Sequence, residues 1–167
     1  ALNLRAPSAP AAPEGTPLTV AAVDDFDPKG DGGDGAENAK SARNAVDGDP
    51  ETFWRTEKYR SAAMGGLKPG AGLVLDLGEV RTVTAVRLVL AGRPTGVAVL
   101  VPQKAGRSAP TKSVSQWTPV ATADAAPSEV TLTPAEPVST RFLLVHLSSL
   151  PDIGEGYFRG GIAEVTV

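Results

Sequence analysis

Two carboxylates and a hydroxyl, those of Asp47, Asp49 and Thr52, stand around Gly48 in the segment NAVDGDPETFWRTEKY (44–59). A glycine between two aspartates lets the chain take a left-handed turn, which can aim side-chain and main-chain oxygens at one point. Hard oxygens of this kind suit calcium, which takes about six to eight of them in a flexible cage rich in carbonyls. Magnesium demands a stricter octahedron. The same residues also suit a plain turn in which Asp47 or Asp49 caps a helix beginning near Pro50, and the segment alone leaves both open. Upstream, DDFDPKGDGGDGAEN (24–38) carries six carboxylates from Asp24 to Glu37 among four glycines. EF-hand spacing fails there, because Pro28 and Lys29 interrupt the alternating oxygens. A second ion and an acidic, solvated loop are both compatible with that stretch.

Other chemistries are poorly supplied. The 167 residues contain no cysteine and one histidine, which removes thiolate sites and multi-histidine metal sites. His146 lies in RFLLVHLSSL, where alternation sets Phe142, Leu144 and His146 on one face of a strand and Leu143, Val145 and Leu147 on the other. It is expected to be a strand-surface residue with no catalytic role, so no nucleophile–base pair can be assembled and an enzyme is not expected. The net charge of −3 has the wrong sign for holding phosphate backbones, which argues against nucleic acid. Sugar recognition needs a flat ring and oriented donors. Tyr157, Phe158 and Arg159 fall together in a glycine-flanked loop and are the first choice, with Tyr59 and Arg60 as further candidates. Trp117 lies in a strand pattern and is expected to pack.

The elements that must position these residues are strands. ALNLRAPSAPAAPEGTP (1–17), with four prolines among small residues, reads as a linker that cannot pack a core. Beyond it, period-two apolar runs separated by Gly and Pro predict strands at 18–23, 72–77, 83–90, 96–101, 115–121, 129–133, 140–147 and 162–167. Only 37–47 suggests a turn or two of helix. About eight short strands predict an all-β antiparallel sandwich or jelly roll over 18–167, whose loops rather than sheet faces carry function.

AVDGDPETFWRT resembles the A-x-DGD-x-x-T-x-W signature of the discoidin, or coagulation factor 5/8 type C, superfamily of galactose-binding-like jelly rolls. The terminal GGIAEVTV is similar to that family's closing strand, and GLVLDLGEVRTVTAVRLVL (72–90) to its middle strands. The resemblance implies a structural calcium ion held by the Asn44 carbonyl, Asp47, Asp49, Thr52, the Ala163 carbonyl and Glu164, with Trp54 in the core. More narrowly, the acidic loop followed by DGDPETFWRTEKY and GLKPGAGLVLDLG resembles the extracytoplasmic C-terminal domain of actinobacterial MviN/MurJ-type proteins and related membrane pseudokinases. That implies a module held outside the cytoplasm by an upstream membrane anchor not in this chain. Two functions follow as expectations: recognition of a cell-envelope glycan such as peptidoglycan or its precursor, or docking of an envelope protein without sugar binding. A weaker third has the loop residues Met64 and Leu67 entering lipid.

Overall fold

A computed structural model describes residues 16–167. The linker expected at 1–17 lies outside the described residues except for Thr16 and Pro17, which are exposed. The fold is an antiparallel jelly-roll sandwich. The strands are β1 (Ala22–Phe26), β2 (Trp54–Arg55), β3 (Ala71–Val83), β4 (Val86–Leu90), β5 (Thr95–Pro102), β6 (Trp117–Ala126), β7 (Glu129–Leu132), β8 (Val138–Ser149), β9 (Asp152–Gly154), β10 (Tyr157–Phe158) and β11 (Gly161–Thr166). One sheet runs β1-β3-β8-β5-β6, the facing sheet β2-β11-β4-β7, and β9 and β10 form a small hairpin.

All eight expected strands are present. The first is displaced: pairing with β3 begins at Ala21, whose N–H donates to the Asp76 carbonyl, so the ladder uses Asp24–Phe26 rather than Leu18–Val20. The amide of Leu18 instead donates to the Val167 carbonyl at 2.7 Å. The expected helix at 37–47 is a 3-10 helix over Ala39–Val46, entered through Asn38 in the left-handed region and burying Ala42 and Ala45 against the sandwich.

Alternation explains the core. In β8, Leu143, Val145 and Leu147 pair with Leu75, Leu73 and Ala71 of β3 and turn inward, where they meet Trp54, Leu88 and Ile162 of the other sheet. Each such side chain, removed from water, contributes roughly 1.5–3 kcal/mol. Phe142 and Leu144 turn outward into a second apolar layer with Phe26, Val74, Leu100 and Trp117, covered in part by Ala109 and Val114. His146 belongs to this outer face and is 6 % exposed, with Phe26 edge-on at 6.1 Å. The expectation of a surface histidine is therefore corrected. The face is apolar, and the irregular segment 103–116 that helps close it has no periodicity to announce it.

Candidate functional site

The loop after the 3-10 helix turns at Gly48, whose φ of +77° is costly for any residue with a Cβ. Its N–H donates to both Glu164 carboxylate oxygens, at 3.2 and 3.1 Å, across 116 residues of sequence. Asp47 accepts from the Asp49 N–H at 2.9 Å and from the Thr52 hydroxyl, which also lies 3.0 Å from the Asp49 carbonyl. These bonds, the Thr52 hydroxyl first, hold the Asp47 carboxyl below the usual range. Glu164 is raised, chiefly by burial and then by the charges of Asp47 and Asp49. Asp47 and Thr52 are thus bonded to each other, the Asp49 carboxylate accepts from the Glu51 N–H at 2.9 Å, and Glu164 reaches the turn through the Gly48 amide. Ala163 is the extra residue of a bulge in β11, without a ladder partner between Ile162 and Glu164. Asn44 sits in the last turn of the 3-10 helix and donates its side-chain amide to the Phe53 carbonyl at 3.2 Å. Among the described residues, no group of three or more Asp, Glu or His side chains converges as a ready metal cage. A cation here would therefore lean on main-chain and hydroxyl oxygens as well as carboxylates.

In the acidic loop Asp24 and Asp34 are exposed, while the other four carboxylates are tied to the rest of the chain. Asp25 accepts the Glu37 N–H at 2.6 Å, and Asp31 takes the Val114 N–H at 2.8 Å and the Ser113 hydroxyl at 2.5 Å, pinning the 103–116 segment. Asp27 and Glu37 share the Lys68 ammonium at 2.7 and 2.8 Å, and all three side chains are almost wholly buried. Glu37 also accepts from the Glu57 N–H at 2.5 Å and the Tyr59 hydroxyl at 2.9 Å. Burial pushes Asp27 up, only partly offset by Lys68, as expected where two carboxylates share one cation. Burial also drives Tyr59 up to about 12. For Lys68, burial alone would lower the value, but its bonds to Asp27, Glu37 and Tyr59 together outweigh it and raise it. Gly33 belongs to this arrangement because any Cβ there would strike the Asp27 carboxylate.

The five residues expected to touch a ligand separate into two groups. Tyr59 and Phe158 exchange backbone hydrogen bonds at 2.8 and 2.7 Å and pack on the core, with the Tyr59 hydroxyl committed to Glu37. Arg159 donates its Nε to the Thr56 carbonyl at 2.7 Å, so it staples two loops together. Tyr157 and Arg60 face outward, with the Arg60 guanidinium 4.4 Å from the half-buried Tyr157 ring centre. Sequence reasoning missed Lys58, whose Nζ lies 5.7 Å from the same ring. The signal was there: in the extended run EKYR, period two puts Lys58 and Arg60 on one side and Glu57 and Tyr59 on the other. Beside this platform opens a cleft of about 710 Å³ lined by Asp34, Asn38, Phe53, Arg55, Glu57 and Arg159, among others, where the Arg55 guanidinium lies 4.3 Å over Phe53. Trp54 is fully buried and donates its indole N–H to the Glu37 carbonyl at 2.7 Å. Met64 is also fully buried, so of the pair considered for lipid only Leu67 is exposed.

No family model matches the sequence, and no curated protein does. Solved structures do match. The CBM32 module of AlyQ, in complex with 4,5-unsaturated mannuronic acid, superposes with a TM-score of 0.60 at 14% identity, covering 90% of this chain and 96% of that one. Chitosan-binding module 1 of a chitosanase/glucanase from Paenibacillus sp. IK-5 gives 0.58 at 17% identity, covering 90% and 97%. A pectin-binding carbohydrate-binding module gives 0.59 at 16%, covering 89% of each chain. Identities this low establish the fold alone: the chain has the antiparallel jelly-roll fold of these carbohydrate-binding modules.

Proposed function

We propose that the chain is a non-catalytic extracytoplasmic module that recognises a cell-envelope glycan, such as peptidoglycan or its precursor. The observation that carries this is the Tyr59–Phe158 bridge, which joins an exposed extended segment to the 157–159 loop and gathers a half-exposed ring with two cations. Loops at the end of a rigid sandwich are where such folds place recognition. The solved neighbours, a module in complex with an unsaturated mannuronic acid, a pectin-binding module and a chitosan-binding module, support the reading. In the parent protein, the Pro/Ala-rich segment 1–17 would space the module from a membrane anchor, as the MviN/MurJ resemblance implies. The test is calorimetric titration with muropeptides, chitooligosaccharides and pectic oligosaccharides. The parent chain should bind at least one, and Tyr157→Ala should weaken that binding about tenfold or more with little change in melting temperature. Failure of every sugar, together with capture of an envelope protein, would favour protein docking instead.

We further propose that calcium stabilises the module at Asp47, Asp49, Thr52 and Glu164, with the Asn44 and Ala163 carbonyls completing the shell. The residues fit such an ion in chemistry: they are hard oxygens, the Gly48 N–H ties the DGD turn to Glu164 of the last strand, and the β11 bulge leaves Ala163 outside the ladder. The ion would contribute stability by tying that loop to β11. Extracellular calcium sites have dissociation constants of about 0.1–1 mM. About 1 mM calcium would then add roughly 0.4–1.4 kcal/mol, or about 1–6 °C in melting temperature. Magnesium should substitute poorly. Asp47→Ala also loses bonds to Thr52 and Asp49, so the diagnostic quantity is the calcium-dependent increment, which should vanish. Equal melting of the parent chain in chelator and in calcium would end the proposal.

A further inference from the structure

Resting on the glycan reading above, we infer that the ligand is an acidic carbohydrate whose sugar carboxylate is gripped by Arg60 and Lys58. The Tyr59 hydroxyl turns to the buried Glu37, and its neighbours on either side in the extended chain, Lys58 and Arg60, are both exposed. Neutral pyranoses are held by laying their C–H face on a bare aromatic ring. The Tyr157 ring is not bare on both faces, because the Arg60 guanidinium lies 4.4 Å from its centre. The ring acts instead as a pedestal. It restrains a long, otherwise mobile side chain, which lowers the entropy cost of each hydrogen bond that the guanidinium then makes. The planar fork matches a carboxylate with two parallel N–H bonds, and Lys58 adds a point charge beside it.

The adjoining cleft repeats the device. Arg55 is stacked on Phe53, and Lys40 and Arg159 line the same cavity. Its acidic groups are Asp34, already accepting from the Ala36 N–H, and Glu57. Among the described residues the ion pairs engage Lys68, Arg81, Arg87 and Arg141, and none of Lys40, Arg55, Lys58, Arg60 or Arg159. A chain of net charge −3 thus gathers unpaired cations, two of them ordered by stacking, on one pair of neighbouring loops.

The experiment compares acidic sugars with partners that lack the free carboxylate. An oligogalacturonide is titrated against its methyl ester, and N-acetylglucosaminyl-N-acetylmuramic acid against neutral diacetylchitobiose, at low and at physiological salt. At least one acid should bind about ten- to hundredfold more tightly than its neutral partner and lose affinity as salt rises. Lys58→Gln with Arg60→Gln should remove that advantage at unchanged melting temperature, whereas Tyr157→Phe, which keeps the pedestal, should retain it. Equal binding of acid and neutral partner, with the double variant unaffected, would overturn the inference while leaving the glycan reading intact. Absence of all sugar binding would overturn both. Binding to anionic phospholipid vesicles in preference to the sugar acids would assign the cations to a lipid surface and overturn it too.

Discussion

Replacing Lys68 with methionine should lower the unfolding free energy by about 3–5 kcal/mol, the cost of removing one partner from a buried ionic group. For a domain of this size that amounts to a melting temperature on the order of 10 °C lower. The side chains of Lys68, Asp27 and Glu37 are only 6, 2 and 1 % exposed, so water cannot replace the lost ammonium. Two carboxylates would then face each other with nothing between them. They also accept the Asp34 and Glu57 amides and the Tyr59 hydroxyl, so the variant stresses both loops beside the ligand platform. The pH dependence should change with it. Burial already raises the Asp27 carboxyl, and without Lys68 to oppose it that group favours the folded state as it protonates, so part of the loss should return as pH falls from 7 toward 5. Adding Asp27→Asn and Glu37→Gln should recover most of the stability, because the uncompensated charge is then gone. Urea melts of the parent, single and triple variants at pH 7 and pH 5 would decide it. A loss below about 1 kcal/mol for Lys68→Met would mean that the trio is effectively solvated.

That trio marks the boundary of what the sequence made legible. Strands announce themselves by alternation, and the runs from 72 to 101 and from 140 to 147 carried enough β-branched and leucine residues to mark β3, β5 and β8, the middle of the larger sheet. The two- and three-residue strands β2, β9 and β10 are too short to show a period, yet β2 and β10 flank the ligand platform. The DGD turn and its link to Glu164 were legible only through a family signature, since no local rule joins residues 116 positions apart. The bonds within the acidic loop were hidden for the same reason. Its carboxylates look unsatisfied until Lys68, the Glu37 and Glu57 amides and the Ser113 hydroxyl arrive from elsewhere in the chain. The alternation of Lys58 with Arg60 is plain, but charges on an extended run are ordinarily just solvated, and only the fold brings the Tyr157 ring beneath them.

His146 offers the other large effect. It is buried under the outer apolar layer with no hydrogen-bond partner for Nε2, and its pKa falls to about 4 from 6.5. Burial is the main cause, with the Lys68 charge adding to it and Asp31 opposing it. The unfolded chain takes up a proton as pH drops through about 6.5, whereas the folded chain resists until about 4. The protein should therefore lose stability progressively across that window, by about 3 kcal/mol in all, and show none of this loss above it. Other groups titrate nearby in both directions: Asp27 and Glu164 are raised and favour the folded state on acidification, while Asp76, held low by Arg141, does the reverse at lower pH. The histidine is isolated by comparison with His146→Leu, which removes the titrating group and the orphaned nitrogen while keeping an apolar side chain against Phe26. The variant should equal or exceed the parent in stability at pH 7.5, and its advantage should widen by about 2.5 kcal/mol by pH 4.5. Urea unfolding at pH 7.5, 6.5, 5.5 and 4.5 measures this directly. If the two proteins keep a constant difference over the whole range, His146 is protonated as easily in the folded chain as in the unfolded one, and water must reach it beneath the 103–116 segment.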